Sequence, residues 1–361
     1  MKRWLAWGAV LAATTTAAAC GSSESDLGSG GGGTTSGGAS GSSAGGATGG
    51  SAGIPSNGGT AGIPSTGGTS GTGATGGGGG TAASVRFVAI GDAGKGNAEQ
   101  KQVADAIQAK CAASGCDFVQ LLGDNIYDTG VSSVTDPQWQ TKFEVPYANV
   151  TQPFWAVLGN HDNGGNGTGN EQWKGDIEVA YSMTSTKWKM PSRYYVHQEP
   201  GVDFFGLDTN AGMFDQTATQ KSDMSGWLTQ STASWKIAFG HHPYKSNGPH
   251  GNAGSYEGLP FIPLINGSGV KSLLETTVCG KADVYICGHD HSRQWLLDTC
   301  AGTELIVSGA GASTTDLNSN NANYWQSDQI GFLYVSIQGN TFTGEFYGVD
   351  GTMEYSRTIK K

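Results

Sequence analysis

The chain has 361 residues, with 20 basic and 30 acidic side chains that give a formal net charge of −10 at pH 7. No basic run or patch interrupts this acidic balance, so the composition argues against a nucleic-acid-binding protein. An acidic protein that binds anions must attract them with local positive charge, because its overall field repels them. Any binding of anions therefore depends on positive charge at individual sites.

Residues 21–82 differ in composition from the rest of the chain. Residues 21–80 hold 26 of the 60 glycines and no aromatic residue, and most of the others are Ser, Thr or Ala. Such a segment cannot bury enough apolar surface to offset the entropy of ordering, so we predict a disordered linker. Residues 83–361 remain, a length sufficient for one domain with a sizeable core.

The first 20 residues indicate a targeting signal that is not part of the fold. Lys2 and Arg3 precede the apolar run Trp4–Ala13, which is too short to span a bilayer and is typical of a signal peptide. The segment ends at Cys20 and resembles a bacterial lipobox, although Ala17 stands where such motifs usually carry Leu. Lipidation of Cys20 would give an exported, membrane-tethered lipoprotein of the cell envelope, whereas ordinary cleavage would give a secreted protein. Either event removes Lys2 and Arg3 and leaves 18 basic against 30 acidic residues, a charge of −12.

The folded part opens with a β-α-β pattern. A strand is predicted at Val85–Ile90 from its apolar residues Phe87–Ile90, and a helix is predicted from a cap at Asn97 or an immediate neighbour through Ala113. Gly115 ends this helix, and a second strand begins at Phe118. Two strands joined by a helix favour a buried parallel pair.

The remaining elements favour a layered fold. Helices are predicted at Trp139–Val145, at Thr217–Thr229 and within Leu259–Leu274, where Pro260 and Pro263 interrupt the helix. Strands are predicted at Phe154–Leu158, Tyr194–His197, Val202–Leu207, Trp235–Phe239, Val284–Cys287, Gln294–Leu297, Glu304–Val307, Phe332–Ile337, Thr341–Tyr347 and Met353–Thr358. The first half favours parallel pairing and the last part antiparallel pairing. We therefore expect an α/β fold with two packed mixed β-sheets flanked by helices.

Five cysteines follow Cys20, and an exported protein can form disulfides. Two pairs and one single thiol allow fifteen arrangements, which the spacing does not distinguish. We expect a Cys111–Cys116 bond at the end of the first helix and a Cys279–Cys300 bond that brackets the strand Val284–Cys287. Cys287 would then remain a small buried hydrophobic residue.

Five predicted strands end in the same way, with an apolar run, a glycine and a side chain of a metal-binding type. The side chains delivered are Asp92 after Gly91, Asp124 after Gly123, Asn160 and His161 after Gly159, His241 after Gly240, and His289, Asp290 and His291 after Gly288. Of the seven histidines, only His197 lies away from these loops, in a predicted strand and with no assigned task. Oxygen ligands and imidazoles at converging strand ends indicate a transition-metal site, and their number favours two ions. Structural zinc is excluded because no cysteine pair has the required spacing.

In these motifs the chain resembles the calcineurin-like metallophosphoesterases. The matching stretches are Gly91-Asp92-Ala93-Gly94, Gly123-Asp124-Asn125-Ile126-Tyr127, Gly159-Asn160-His161-Asp162, Gly240-His241-His242-Pro243 and Gly288-His289-Asp290-His291. Tyr127, three residues after Asp124, narrows the resemblance to the small, tartrate-resistant type of purple acid phosphatase. The resemblance covers about residues 85–361 and implies a sandwich of two mixed sheets flanked by helices.

The resemblance also implies a dinuclear metal centre. It assigns Asp92, Tyr127 and His291 to a ferric ion, Asn160, His241 and His289 to a divalent ion of iron, zinc or manganese, and Asp124 to a bridge between the two. A metal-bound hydroxide would attack the phosphorus of the substrate and displace an alcohol.

Two further histidines resemble catalytic residues of the family. His250 lies nine residues after His241, at the spacing of the histidine that protonates the leaving group; the alternative is a solvated loop residue. His161 resembles the other non-ligand histidine, which contacts phosphate. Residues interpreted as supporting the ligand loops, not as catalysts, are Asn125, Asp128, Asp162, His242 and Asp290.

Three functions follow from these observations. The first is an exported, membrane-tethered acid phosphatase that hydrolyses small phosphate monoesters. The second is a phosphodiesterase or nucleotidase on the same scaffold, and the third is an inactive surface-binding module carried on a linker. Every ligand position is filled, which argues against the inactive module, while Tyr127 and His250 favour the monoesterase. The sequence gives no indication of the oligomeric state.

Overall fold

The structure, a computed structural model, describes residues 83–262 and 265–361. The predicted signal peptide, Cys20 and the linker lie outside the described residues. The strands are β1 (Ser84–Ile90), β2 (Phe118–Leu122), β3 (Phe154–Val157), β4 (Trp188–Lys189), β5 (Tyr195–Glu199), β6 (Val202–Gly206), β7 (Trp235–Phe239), β8 (Val284–Cys287), β9 (Arg293–Leu296), β10 (Glu304–Ser308), β11 (Asn323–Ser327), β12 (Gly331–Gln338), β13 (Thr341–Gly348) and β14 (Met353–Lys360). The α-helices are α1 (Ala98–Ser114), α2 (Trp173–Tyr181), α3 (Asn210–Met213), α4 (Ala218–Gln230) and α5 (Ser268–Thr277).

The strands form two mixed sheets of seven strands each. The first sheet has the order β14-β13-β12-β1-β2-β3-β4, and the second has the order β11-β9-β10-β8-β7-β6-β5. The strands β1, β2 and β3 run parallel to one another in the first sheet, as do β6, β7 and β8 in the second. Parallel strands of one sheet end at the same edge, so the loops after β1, β2 and β3 meet, as do those after β7 and β8.

Side chains of β1 show how the layers are held together. Phe87 packs between the two sheets, with its ring centroid 5.4 Å from that of Phe204 and 5.8 Å from that of Phe239. On the other face of β1, Val88 and Ile90 belong to the apolar cluster under α1. Both faces of this strand are therefore buried, which explains its nearly continuous apolar sequence.

The helix α1 begins and ends where its sequence predicts. The Asn97 side chain accepts a hydrogen bond from the Gln100 amide at 3.0 Å and caps the first turn. Gly115 follows the last residue with a φ of 77°, and its amide bonds the Cys111 carbonyl at 2.9 Å.

Two helix predictions need correction. Trp139–Val145 is a short π-helical turn at Gln140–Glu144. Within Leu259–Leu274 a helix begins only at Ser268, after Gly267 in a left-handed conformation with a φ of 70°. The prolines and exposed apolar side chains before it do not supply the inward stripe that stabilises a surface helix.

Both predicted disulfides, Cys111–Cys116 and Cys279–Cys300, are present, and Cys287 is a buried free thiol. His197 lies in β5, where its ring stacks on Trp155 with the centroids 3.9 Å apart. Desolvation on burial lowers the pKa of His197 to about 4. Across residues 83–262 and 265–361, every helix is too short or too polar to cross a bilayer.

Candidate metal centre

Three of the predicted ligands have a strained backbone conformation at the point where their strand ends. The φ angles are 57° at Asp92, 54° at Asp124 and 71° at His289, in the region that side chains other than glycine avoid. Each such residue costs about 1–3 kcal/mol and persists only where its surroundings fix it. Here the Asp92 amide bonds the Gly123 carbonyl at 3.0 Å, and the His289 amide bonds Asp92 Oδ2 at 2.8 Å. The loops therefore constrain one another.

Glycines next to these residues allow the loops to approach closely. A Cβ on Gly159 would lie 2.2 Å from Asp124 Oδ1, and one on Gly288 would lie 2.5 Å from Asp92 Oδ2. Neither distance is compatible with a side chain, so the repeated glycine before each ligand has a steric cause.

The first cluster of donor atoms consists of Asp92, Tyr127 and His291. The Tyr127 hydroxyl lies 3.1 Å from Asp92 Oδ1, 2.9 Å from Asp124 Oδ2 and 3.0 Å from His291 Nε2. One hydroxyl hydrogen can serve only one of these neighbours. The opposite ring nitrogen of His291, Nδ1, lies 2.8 Å from Ser313 Oγ, which fixes the direction of the imidazole.

The second cluster consists of Asn160, His241 and His289. His241 Nδ1 lies 2.9 Å from the Leu122 carbonyl, so this nitrogen carries a hydrogen. His241 Nε2 faces Asn160 Oδ1 at 2.9 Å and His289 Nδ1 at 3.1 Å. The Asn160 amide nitrogen donates to the Gly167 carbonyl at 2.8 Å, so its oxygen is the atom aimed at the imidazole. In the neutral tautomer, lone pairs would therefore point at one another.

Asp124 lies between the two clusters. Its Oδ2 is 2.9 Å from the Tyr127 hydroxyl and 3.4 Å from His241 Nε2, and the carboxylate is almost fully buried. Donor atoms of Asp92, Asp124 and His241 all lie within 4.8 Å of one another. The position of Asp124 is thus compatible with a carboxylate that touches two cations.

The electrostatics of these groups show that the site attracts positive charge. Burial alone would raise the pKa of Asp124, but the charge of His241 and their hydrogen bond hold this pKa well below its usual range. Burial would lower the pKa of His241, but Asp124 raises it to about 9. Burial and the charges of Asp124 and Asp92 raise the pKa of Tyr127 well above its ordinary value. Without a cation, therefore, a proton remains on Tyr127 and on His241, in a site whose donor types fit metal ions.

A buried carboxylate joins the loops behind the clusters. Asp162 Oδ1 accepts from the amides of Asn125 at 2.7 Å and Ile126 at 3.0 Å, and Oδ2 accepts from the Gly159 amide at 2.8 Å. Burial raises the pKa of Asp162 to about 6. Glu178 lies on α2, a helix that was not predicted from the sequence. Its carboxylate accepts a hydrogen bond from the side-chain amide of Asn125 at 3.1 Å. The support role assigned to Asn125 and Asp162 is consistent with these bonds.

The rings of the two histidines predicted as catalytic lie beside different donor clusters. The His161 ring centroid is 4.4 Å from that of Tyr127, and its Nδ1 lies 2.6 Å from the Asp128 carbonyl. The His250 ring stacks on His289 with the centroids 4.0 Å apart and the planes inclined by 28°. The structure thus gathers all the residues predicted for the site in one place, from Asp92 to His291.

Comparison with known proteins places this arrangement in a family. The calcineurin-like phosphoesterase family matches residues 85–293, which is more than half of the chain. The chain belongs to this family. Tartrate-resistant acid phosphatase type 5 of Rattus norvegicus is 30% identical over 265 residues, which cover 64% of this chain and 73% of the rat protein. Purple acid phosphatase 4 of Arabidopsis thaliana is 28% identical over 302 residues, which cover 74% of this chain and 81% of the plant protein.

A solved structure supports the same fold. Purple acid phosphatase PPD1 from yellow lupin (Lupinus luteus) superposes with a TM-score of 0.61 at 18% sequence identity, covering 78% of this chain and 54% of the lupin chain. This calcineurin-like phosphoesterase is therefore a metal-dependent phosphoester hydrolase with two mixed sheets, as predicted. Its purple acid phosphatase relatives imply a dinuclear metal centre, and Asp92, Asp124 and His241 form a group that could hold a metal ion.

Replacing Asp124 by Asn should lower metal content and activity together, because it removes the one carboxylate that faces both clusters. We expect fewer than two metal ions per chain by atomic emission spectrometry, and a loss of activity of at least about 10²-fold. Asp208→Asn is the matched control, since Asp208 is also buried but pairs with Arg193 at 2.8 Å. Two retained ions with full activity in Asp124→Asn would contradict the shared position of this residue.

Proposed function

We propose that the protein is an acid phosphatase that hydrolyses small phosphate monoesters at a centre of Fe(III) and a second ion, Fe(II), Zn(II) or Mn(II). The observation that carries the proposal is the division of the donor atoms into two clusters with Asp124 between them. Beside each cluster lies one histidine that is not among the predicted metal ligands. The relatedness to purple acid phosphatases supports the same reaction class.

In this proposal each cluster holds one ion. Asp92, Tyr127 and His291 hold the ferric ion, Asn160, His241 and His289 hold the divalent ion, and Asp124 contacts both. When bound, the cations polarise phosphate oxygens and lower the pKa of a water that attacks phosphorus. Burial and the neighbouring carboxylates raise the pKa of Tyr127, so its phenol would lose its proton only to a bound cation, and a phenolate is a hard anionic donor that suits ferric iron.

The flanking histidines handle the substrate. His161 stands beside Tyr127, where its side chain would contact a phosphate oxygen. His250 stacks on His289 at the other cluster, where its Nε2 hydrogen would pass to the departing alkoxide. The phosphodiesterase or nucleotidase alternative differs in the size of the pocket required, and a substrate panel of monoesters and diesters separates it. The inactive-module alternative finds no support, because every donor position is filled.

Changing Tyr127 to Phe should remove a colour. A tyrosinate on ferric iron gives a visible charge-transfer band, so we expect the oxidised wild-type protein to be violet or pink and Tyr127→Phe to be bleached with some hydrolysis retained. Metal analysis is the control, since loss of iron would also remove the band. Active, iron-loaded wild-type protein that lacks a visible band would contradict the assignment of Tyr127 as an iron ligand.

Changing His250 to Ala should affect poor leaving groups most. Nitrophenolate departs without a proton, whereas an alkoxide does not, and general acid catalysis contributes about 10²–10⁴-fold where the proton is needed. His250→Ala should therefore slow alkyl phosphate hydrolysis far more than p-nitrophenyl phosphate hydrolysis. One enzyme preparation serves both assays, so folding and metal loading cancel. Equal losses would assign His250 to substrate positioning instead.

We further propose that the protein is exported and tethered to a membrane of the cell envelope through lipidated Cys20. Lys2, Arg3, the apolar run Trp4–Ala13 and the small residues before Cys20 support this. Cys20→Ser should release the protein into the soluble fraction, as measured by fractionation and immunoblotting. If the wild-type protein is already wholly soluble, secretion without an anchor replaces the tether.

A further inference from the structure

The imidazole of His250 is held by its surroundings on several sides. Its backbone amide donates to Asp290 Oδ1 at 2.9 Å, and its carbonyl accepts from the Glu257 amide at 3.1 Å. Its ring stacks on His289, and its Nδ1 contacts the Glu257 carboxylate. Glu257 therefore binds the same residue twice, once through its backbone and once through its side chain.

A buried tyrosine, Tyr256, fixes the turn that carries Glu257. The Tyr256 side chain is only 2% exposed, and its hydroxyl donates to the Pro243 carbonyl. The Tyr256 amide bonds the Asn266 carbonyl at 3.1 Å, and a Cβ on Gly267 would lie 2.2 Å from the Tyr256 ring. Glu257 itself has a φ of 58°, a strained conformation held by these contacts. The fold thus fixes the backbone position from which the Glu257 side chain reaches His250, which a typical surface ion pair lacks.

We propose that Glu257 is a positioning residue for His250. By accepting the Nδ1 hydrogen, its carboxylate fixes the rotation of the ring and leaves Nε2 as the nitrogen available to the leaving group. In the reaction the Nε2–H bond breaks and an O–H bond forms on the departing alkoxide, while the ring keeps its Nδ1 hydrogen on Glu257. Solvent water returns a proton to Nε2 after the product alcohol leaves. The inference rests on the proposed role of His250 as the acid.

The need for such a residue follows from the exposure of the ring. The His250 side chain is 33% exposed, and the terminal torsion of histidine has two broad minima, in which each ring nitrogen exchanges its place with a ring carbon. Without Glu257 the ring would spend part of its time with Nε2 turned away from the leaving group. General acid catalysis contributes ~10²–10⁴-fold to the rate. Loss of Glu257 should remove only a part of this contribution, and we expect the rate to fall roughly 10-fold.

The test compares leaving groups in metal-loaded, full-length enzyme. Glu257→Ala should lower kcat roughly 10-fold for an alkyl phosphate but less than about 2-fold for p-nitrophenyl phosphate, since only the alkoxide needs the proton. KM values and metal content should remain unchanged. Glu257→Gln should retain most of the alkyl phosphate activity, because its amide oxygen still accepts the Nδ1 hydrogen. Glu275→Gln is the matched control, as its side chain is 47% exposed against 44% for Glu257.

A double-mutant cycle decides whether Glu257 acts through His250. In a His250→Ala background, Glu257→Ala should have no further effect on either substrate. A further loss there, or an equal loss on both substrates from Glu257→Ala alone, would overturn the positioning role. If His250→Ala distinguishes the substrates and Glu257→Ala does not, the positioning role fails and the acid role stands. If His250→Ala does not distinguish them, both roles fail.

Discussion

At the predicted metal site, where strands of both sheets end, hydrogen-bond acceptors outnumber the hydrogens available to them. One Tyr127 hydrogen faces the carboxylates of both Asp92 and Asp124, and the His241 Nε2 atom points at the oxygen of Asn160. In a buried site such opposed acceptors cost free energy unless a positive charge lies between them. The raised pKa of His241 is the response of the protein alone, because a proton there supplies part of the missing charge. Metal ions supply more of it, so the geometry of the loops is explained by the ions they would bind.

The same geometry is built before any ion arrives. Asp162 ties the loop after β2 to the loop after β3, and the His289 amide on Asp92 ties the first sheet to the second. The positive φ angles at Asp92, Asp124 and His289 are maintained by these contacts. Preorganised donors need little rearrangement when charge develops in the transition state, which is the usual source of electrostatic catalysis. Three of the residues with a positive φ are thus predicted metal ligands whose conformation is held by contacts within the site.

Much of the fold and of the metal site could be predicted from the sequence, because the patterns that identify them lie within short stretches of the chain. An apolar run followed by glycine and a donor identifies both the end of a strand and the reason for the glycine, as Gly159 and Gly288 demonstrate. The apolar run Phe87–Ile90 likewise predicted a buried strand, and in the structure Phe87 and Val88 belong to two different apolar clusters. Parallel pairing then brings together loops that are distant in sequence.

Other features could not be predicted because they depend on contacts between loops. The strand Trp188–Lys189 has two residues, too few for any periodicity. The buried Glu178 of α2 contacts Asn125, which lies 53 residues earlier in the chain. The contact of Glu257 with His250 requires a turn with a φ of 58°, which no local pattern announces. The apolar run that begins at Leu259 was misread because Phe261 is 93% exposed, so hydrophobicity there does not report burial.

Each donor cluster contains residues from both sheets, so bound ions would also hold the two sheets together. Asp92, Tyr127 and Asn160 follow strands of the first sheet, while His241, His289 and His291 follow strands of the second. Cations bound here would link the two sheets at the open edge of the sandwich, in addition to the apolar layer between the sheets. Because Asp92 and His289 are 197 residues apart in sequence, these donor atoms meet only in the folded domain. Ions that bind the folded state and not the unfolded chain would therefore raise the free energy of unfolding, and their removal would weaken the sandwich at the edge where the two sheets meet.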